Sequence, residues 1–121
     1  MLFRSAPLAP AASLVERALA FAAENAISGI GPADVASHLG VSRRLLDLRF
    51  SQLGIPSIES TLVARRLDEV KRLLSSTSFT LGHIAALSGF ISPDSLRNLF
   101  RRRFGISPRN YRKRSERVAS E

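Results

Sequence analysis

Apolar residues recur at intervals of three and four from Leu14 almost to the end of the chain, with no alternating run of Val, Ile and Thr among them. This spacing predicts helices throughout and no strand. Ser13 reads as an N-cap with Glu16 three residues on, a capping-box spacing, and opens a first helix through Leu14, Ala18, Phe21 and Ala22 that gives way to Gly29 and Gly31. Pro32 suits the first position of a short helix, Pro32 to Leu39, stopped by Gly40. A third helix starts at Ser42, passes Phe50 and ends near Leu53, before Gly54 and Pro56. The fourth and longest, Ser57 to about Ser75, carries Ile58, Leu62, Val63, Leu67, Val70, Leu73 and Leu74 and is broken by Ser75–Ser78. On it Leu62, Leu67, Val70 and Leu74 are expected to anchor the helix, and Arg65, Arg66, Lys71 and Arg72 to be solvated or to face phosphate. Three more helices follow, Thr80 to Ser88, Ser92 to Phe104, and Ser107 to about Arg114. Residues 1–12, with Pro7 and Pro10, read as a linker or an expression remnant, and residues 116–121 as a tail.

The chain also repeats itself. Val35-Ala36 followed by Gly40, Leu46, Phe50, Gly54 and Pro56 returns as Ile84-Ala85 followed by Gly89, Leu96, Phe100, Gly105 and Pro108, at offsets that grow from 49 to 52. Each copy is a short helix with a small Ala, a turn containing Gly, and a longer helix, which is helix-turn-helix anatomy. The fold expected is therefore all-α: seven helices forming two helix-turn-helix subdomains, about 32–53 and about 80–104, joined by a long linker helix at about 57–75.

At 100° per residue the faces of the two longer helices can be assigned. In the third helix Leu46, Phe50 and Leu53 fall on one buried stripe, and Arg44, Leu48 and Ser51 lie opposite, flanked by Asp47. In the sixth, Leu96, Leu99 and Phe100 define the buried side, and Asp94, Asn98 and Arg101 lie opposite, flanked by Ser95, Arg97 and Arg102. A helix whose outer face opens with polar and charged residues near its N-terminus suits a major groove. The candidate base readers are thus Arg43, Arg44, Asp47, Leu48, Asp94, Ser95, Arg97 and Asn98. Candidates for phosphate contact are Ser42, Ser51, Ser92, Arg101, Arg102, Arg109, Arg112 and Lys113.

Charge strengthens this reading. The 121 residues hold 18 Lys and Arg against 10 Asp and Glu, a net charge of +8. From Arg97 onward nine basic residues face two acidic ones, so +7 of the +8 lies there. A field so concentrated attracts a polyanion. The chain has no Cys, which removes disulfides, thiolate metal sites and cysteine nucleophiles. His38 and His83 stand apart without a carboxylate cluster, so no metal or cofactor is expected, and no phosphate loop or nucleophile motif points to an enzyme. No long apolar segment suggests a membrane span or signal peptide, so a cytoplasmic protein is expected. With seven Phe and one Tyr, most at core positions, few rings are left to stack bases, which disfavours single-strand binding.

Two segments resemble the AraC family of bacterial regulators, and within it the branch of xylose-operon regulators. In the first unit the likeness rests on Gly40-Val41-Ser42-Arg43-Arg44-Leu45-Leu46 with Arg49-Phe50. In the second it rests on Ile84-Ala85, Gly89-Phe90, Phe100-Arg101-Arg102, Phe104-Gly105-Ile106-Ser107-Pro108 and Tyr111-Arg112. The resemblance covers about Leu14 to Arg114 and implies a DNA-binding domain at 13–115. It implies a transcription regulator, activator or repressor, whose linker helix holds two recognition helices one turn of duplex apart over an operator. It further implies contact with RNA polymerase and a sugar-sensing domain N-terminal to residue 1. Two departures stand out: the family commonly places Arg where this chain has Leu48 and Asn98. Leu offers only apolar contact, for instance to a thymine methyl, and Asn pairs with adenine. The competing readings are a free-standing regulator acting mainly through RNA polymerase contact, and nucleic-acid binding without sequence preference.

Overall fold

The computed structural model describes residues 10–120. Among them are seven α-helices and no strand: α1 Pro10–Asn25, α2 Pro32–Leu39, α3 Arg43–Gln52, α4 Ile58–Ser76, α5 Leu81–Leu87, α6 Pro93–Phe104 and α7 Pro108–Ser120, with a 3-10 turn at Ala26–Ser28 after α1. The all-α, seven-helix expectation holds. The helices divide into two compact units, the first built from the described residues up to Asn25 with Ile30–Val63, the second from Ala26–Gly29 with Ala64 onward. Helix α4 is continuous and contributes its first turns to one unit and the rest to the other.

In the first unit α1 packs on α2 and α3. Small residues at the contact, Ala18, Ala22 and Ala36, let the helices approach, and Leu14, Val15, Val35, Leu46, Phe50, Ile58 and Leu62 fill the core. Phe21 at the core's edge stacks on the ring of His38, with centroids 3.9 Å apart and 13° between planes. This accounts for His38 as a packed surface residue. In the second unit α5 and α7 each pack on α6, around Leu67, Val70, Leu73, Leu74, Ile84, Ala85, Leu96 and Phe100. The four anchors read from α4, Leu62, Leu67, Val70 and Leu74, are all buried.

The turn Ala26–Gly29 is bound into the second unit by two contacts. Ala26 is fully buried, and its carbonyl accepts from the Gly29 N–H at 3.1 Å and from Arg66 Nε at 2.7 Å. Burial lowers the Arg66 pKa from the usual guanidinium value. Gly89, at φ +85°, lies against the same turn: a Cβ there would sit 2.8 Å from the Ala26 oxygen and 3.0 Å from the Ile27 oxygen and the Gly29 nitrogen. The glycine of the second turn is thus required both by its backbone angle and by the chain crossing over it.

Several boundaries and faces differ from the sequence reading. Helix α1 begins at Pro10, so Ser13 lies inside it rather than at its N-cap; proline at a first helical position is well tolerated. The remaining linker residues, 1–9, lie outside the described residues. Residues 116–120 continue α7 in place of a tail. Leu53 follows the last turn of α3 and is 44% exposed, because at the C-cap the helical phase that defined the buried stripe no longer applies. Two cations assigned to solvent on α4 have structural partners: Arg66 as above, and Lys71, whose ammonium stands 4.7 Å from the centre of the Phe104 ring. Arg72 does lie at the surface, paired with Glu69 at 2.7 Å, and that hydrogen bond holds the Glu69 carboxyl below its usual pKa.

Candidate nucleic-acid interface

Each longer helix of the repeat is started by a serine. Ser42 has extended backbone and its Oγ accepts the Leu45 N–H at 3.1 Å; Ser92 does the same for the Ser95 N–H at 3.1 Å. Such a cap satisfies an N–H left over at the helix start and contributes about 1 kcal/mol. Both hydroxyls, expected from the sequence to touch phosphate, are therefore committed to capping, though an oxygen that accepts retains its own O–H to donate. The caps set a common register: Leu46 and Phe50 in α3, and Leu96 and Phe100 in α6, are buried in turn, which turns the opposite faces outward.

On α3, Arg43, Arg44, Asp47, Leu48 and Ser51 are all exposed, and Leu48 is a large apolar residue at 49% exposure. Arg43 stands 3.7 Å from Asp47 and 3.5 Å from Glu59 of α4. Arg44 has no ion-pair partner among the described residues. Glu59 was not singled out in the sequence, since nothing in the helical spacing links the first turn of α4 to the first turn of α3. On α6, Asp94, Arg97, Asn98, Arg101 and Arg102 are exposed and Ser95 is half-buried. The Arg97 guanidinium donates to the Asp94 carboxylate three residues back. Arg101, Arg102 and Arg103 occupy the last turn of α6, where cations complement the negative end of the helix dipole.

The basic residues of α7 separate into two kinds. Arg109 and Lys113 are exposed. Arg112 is half-buried and donates from Nε to the Leu74 carbonyl at 3.2 Å and from a terminal nitrogen to the Thr77 carbonyl at 3.1 Å. It clasps the C-terminal end of α4, whose last carbonyls lack helical partners. Arg112 was expected among the phosphate contacts; its geometry is that of a structural residue. Charge count alone cannot tell a guanidinium that closes a helix end from one that waits for a ligand. Arg114 and Arg117, exposed on the same helix, were not singled out. Among the described residues no group of His, Cys, Asp and Glu could hold a metal ion, and no helix is long and apolar enough to cross a membrane.

This arrangement was compared with known proteins. Residues 35–114 match a family model described as a helix-turn-helix domain. The chain is similar in structure to a transcriptional regulator from Chromobacterium violaceum of the AraC-type DNA-binding class, with a TM-score of 0.74 and 28% identity over 86% of this chain and 93% of that one. The chain belongs to the AraC family. Members of this family are transcription regulators, not enzymes. Another structural relative is the DNA-binding domain of AdpA, described as a global transcriptional factor and solved with a target DNA, at TM-score 0.78 and 30% identity over 94% of this chain and 99% of that one. Among curated proteins, the melibiose operon regulatory protein of Escherichia coli K12 is 30% identical over 102 residues, 84% of this chain and 34% of that protein. The xylose operon regulatory protein of the same strain is 26% identical over 98 residues, 81% of this chain and 25% of that protein. The chain thus spans a quarter to a third of the length of these relatives.

Proposed function

We propose that this AraC-family chain reads double-stranded DNA by sequence, with α3 and α6 each laid in a major groove. The observation that carries the proposal is the duplicated face. In both units a serine-capped helix buries Leu and Phe at the same register and turns Arg, Asp and either Leu or Asn outward. In this reading Arg44 pairs with guanine, Leu48 packs on a thymine methyl and Asn98 pairs with adenine. Arg101, Arg102, Arg109 and Lys113 neutralise phosphate and supply affinity that falls as salt rises. The two grooves are successive ones on the same side of the duplex, a reading supported by the continuity of α4 between the two units. The AdpA domain, solved with a target DNA, supports DNA as the ligand.

The whole protein is then an operon regulator in the cytoplasm. The xylose and melibiose regulators among its relatives support a sugar as the signal, sensed by a further domain. Contact with RNA polymerase is supported by an uncharged stretch, Thr77 to Pro93, that leaves Phe79, Leu87 and Ile91 exposed, the last completely.

Selection from a library of random duplexes tests the proposal. Two short enriched blocks are expected, their centres about 10 base pairs apart. Absence of any enriched block, or equal retention of random RNA, would sink it.

A further inference from the structure

The two recognition helices carry the same charged pair with the signs exchanged. Counting from the capping serine, the second helical position is Arg44 in α3 and Asp94 in α6, and the fifth is Asp47 in α3 and Arg97 in α6. The partners differ as well. In α3 the carboxylate of Asp47 pairs with Arg43, one position before Arg44, and Glu59 approaches Arg43 from α4. Arg44 has no ion-pair partner among the described residues. In α6 the Asp94 carboxylate is bonded to the guanidinium of Arg97.

Resting on the reading above, we propose that Asp94 is a positioning residue that aims Arg97 at a guanine in the second half-site. An arginine recognises guanine by presenting two parallel N–H groups to O6 and N7. A free arginine side chain must give up much rotational freedom to do so. A carboxylate bonded to one terminal nitrogen fixes the guanidinium plane beforehand and leaves the other N–H groups to the base. In water an exposed pair of this kind contributes little. Its effect appears on binding, when the groove excludes solvent and the pre-set geometry no longer has to be found. The acid also repels phosphate, so it penalises every docking in which Arg97 is not on its base. In the first unit the reading arginine stands three residues earlier, roughly 4.5 Å along the helix axis. The two helices therefore place guanidinium groups at different depths along their grooves.

The test uses the site obtained by library selection and the Asp94→Asn, Asp94→Glu and Arg97→Ala variants, with Tm measured for each. In the second block, each guanine is replaced in turn by 7-deazaguanine, which lacks the N7 acceptor. Wild type should lose roughly tenfold in affinity at one of these positions. Asp94→Asn should lose most of that discrimination with its Tm and first-block preference intact, Asp94→Glu should recover part of it, and affinity for random duplex should not fall. Asp94→Asn and Arg97→Ala should be non-additive when combined. A second block without guanine, undiminished discrimination in Asp94→Asn, or additive losses would each overturn the proposal. If no block is selected at all, it is the DNA-reading proposal that fails.

Discussion

Replacing Gly89 by Ala should be far more damaging than the same change at Gly105, although the two share a left-handed backbone. Their φ angles are +85° and +75°, so the local strain on an alanine is similar, about 1–2 kcal/mol. The unfolded chain loses a similar amount of conformational entropy in either variant, so that contribution cancels in the difference. What differs is the space. Nothing lies within 4 Å of a Cβ at Gly105, whereas at Gly89 it would meet the Ala26 oxygen at 2.8 Å and the Ile27 oxygen and Gly29 nitrogen at 3.0 Å. All three are backbone atoms and cannot rotate away. The turn must move as a whole, and the Ala26 carbonyl then loses the Arg66 bond at 2.7 Å. Losing that bond at a buried carbonyl adds about 1–3 kcal/mol. Gly105→Ala should therefore cost about 1 kcal/mol and Gly89→Ala about 2–4. Urea denaturation of both variants measures the difference, with unchanged m-values showing that the same two-state transition is compared. Costs that agree within about 0.5 kcal/mol would refute the close approach of the turn to Gly89.

Three further outcomes are expected. Phe100→Ala, at a side chain with no exposed surface, should lower stability by about 3–5 kcal/mol, and DNA binding should fall only as far as the folded fraction measured by circular dichroism. Arg112→Ala should destabilise by about 1–3 kcal/mol through its two carbonyl partners and leave the salt dependence of binding unchanged, whereas Lys113→Ala should leave Tm unchanged and reduce the slope of log affinity against log salt by about 1. Ser88→Ala should be neutral or stabilising by up to about 1–2 kcal/mol in thermal melts, because the Ser88 hydroxyl is fully buried and has no hydrogen-bond partner among the described residues.

The helices were readable because their signals are local. Ser42, Thr80 and Ser92 are caps that act on residues three positions away, and Pro32, Pro93 and Pro108 mark first turns, so the sequence and the structure agree at those ends within a residue. The buried pairs Leu46/Phe50 and Leu96/Phe100 were readable for a second reason: the repeat states the same pattern twice. Contacts distant in the chain were not legible. The spacing of charges gives no sign that Arg66 turns to Ala26, that Arg112 turns to Leu74 and Thr77, or that Glu59 approaches Arg43. Each of these depends on which elements pack together, so cations that look alike in sequence have separate roles in the fold. The start of α1 at Pro10 was not legible because proline suits a loop as well as the first position of a helix.

The central claim, that α3 and α6 read one duplex together, is tested most directly by anisotropy titration at a fixed salt concentration. The duplexes would be the selected site, either block alone, the two blocks with five base pairs inserted between them, and a scrambled sequence. A five-pair insertion turns one groove to the far side of the duplex. Tightest binding is expected on the intact site, at least about a thousandfold above the scrambled duplex. The inserted site should fall to the level of the better single block. Affinity that does not change on insertion, or that a single block reproduces in full, would contradict it.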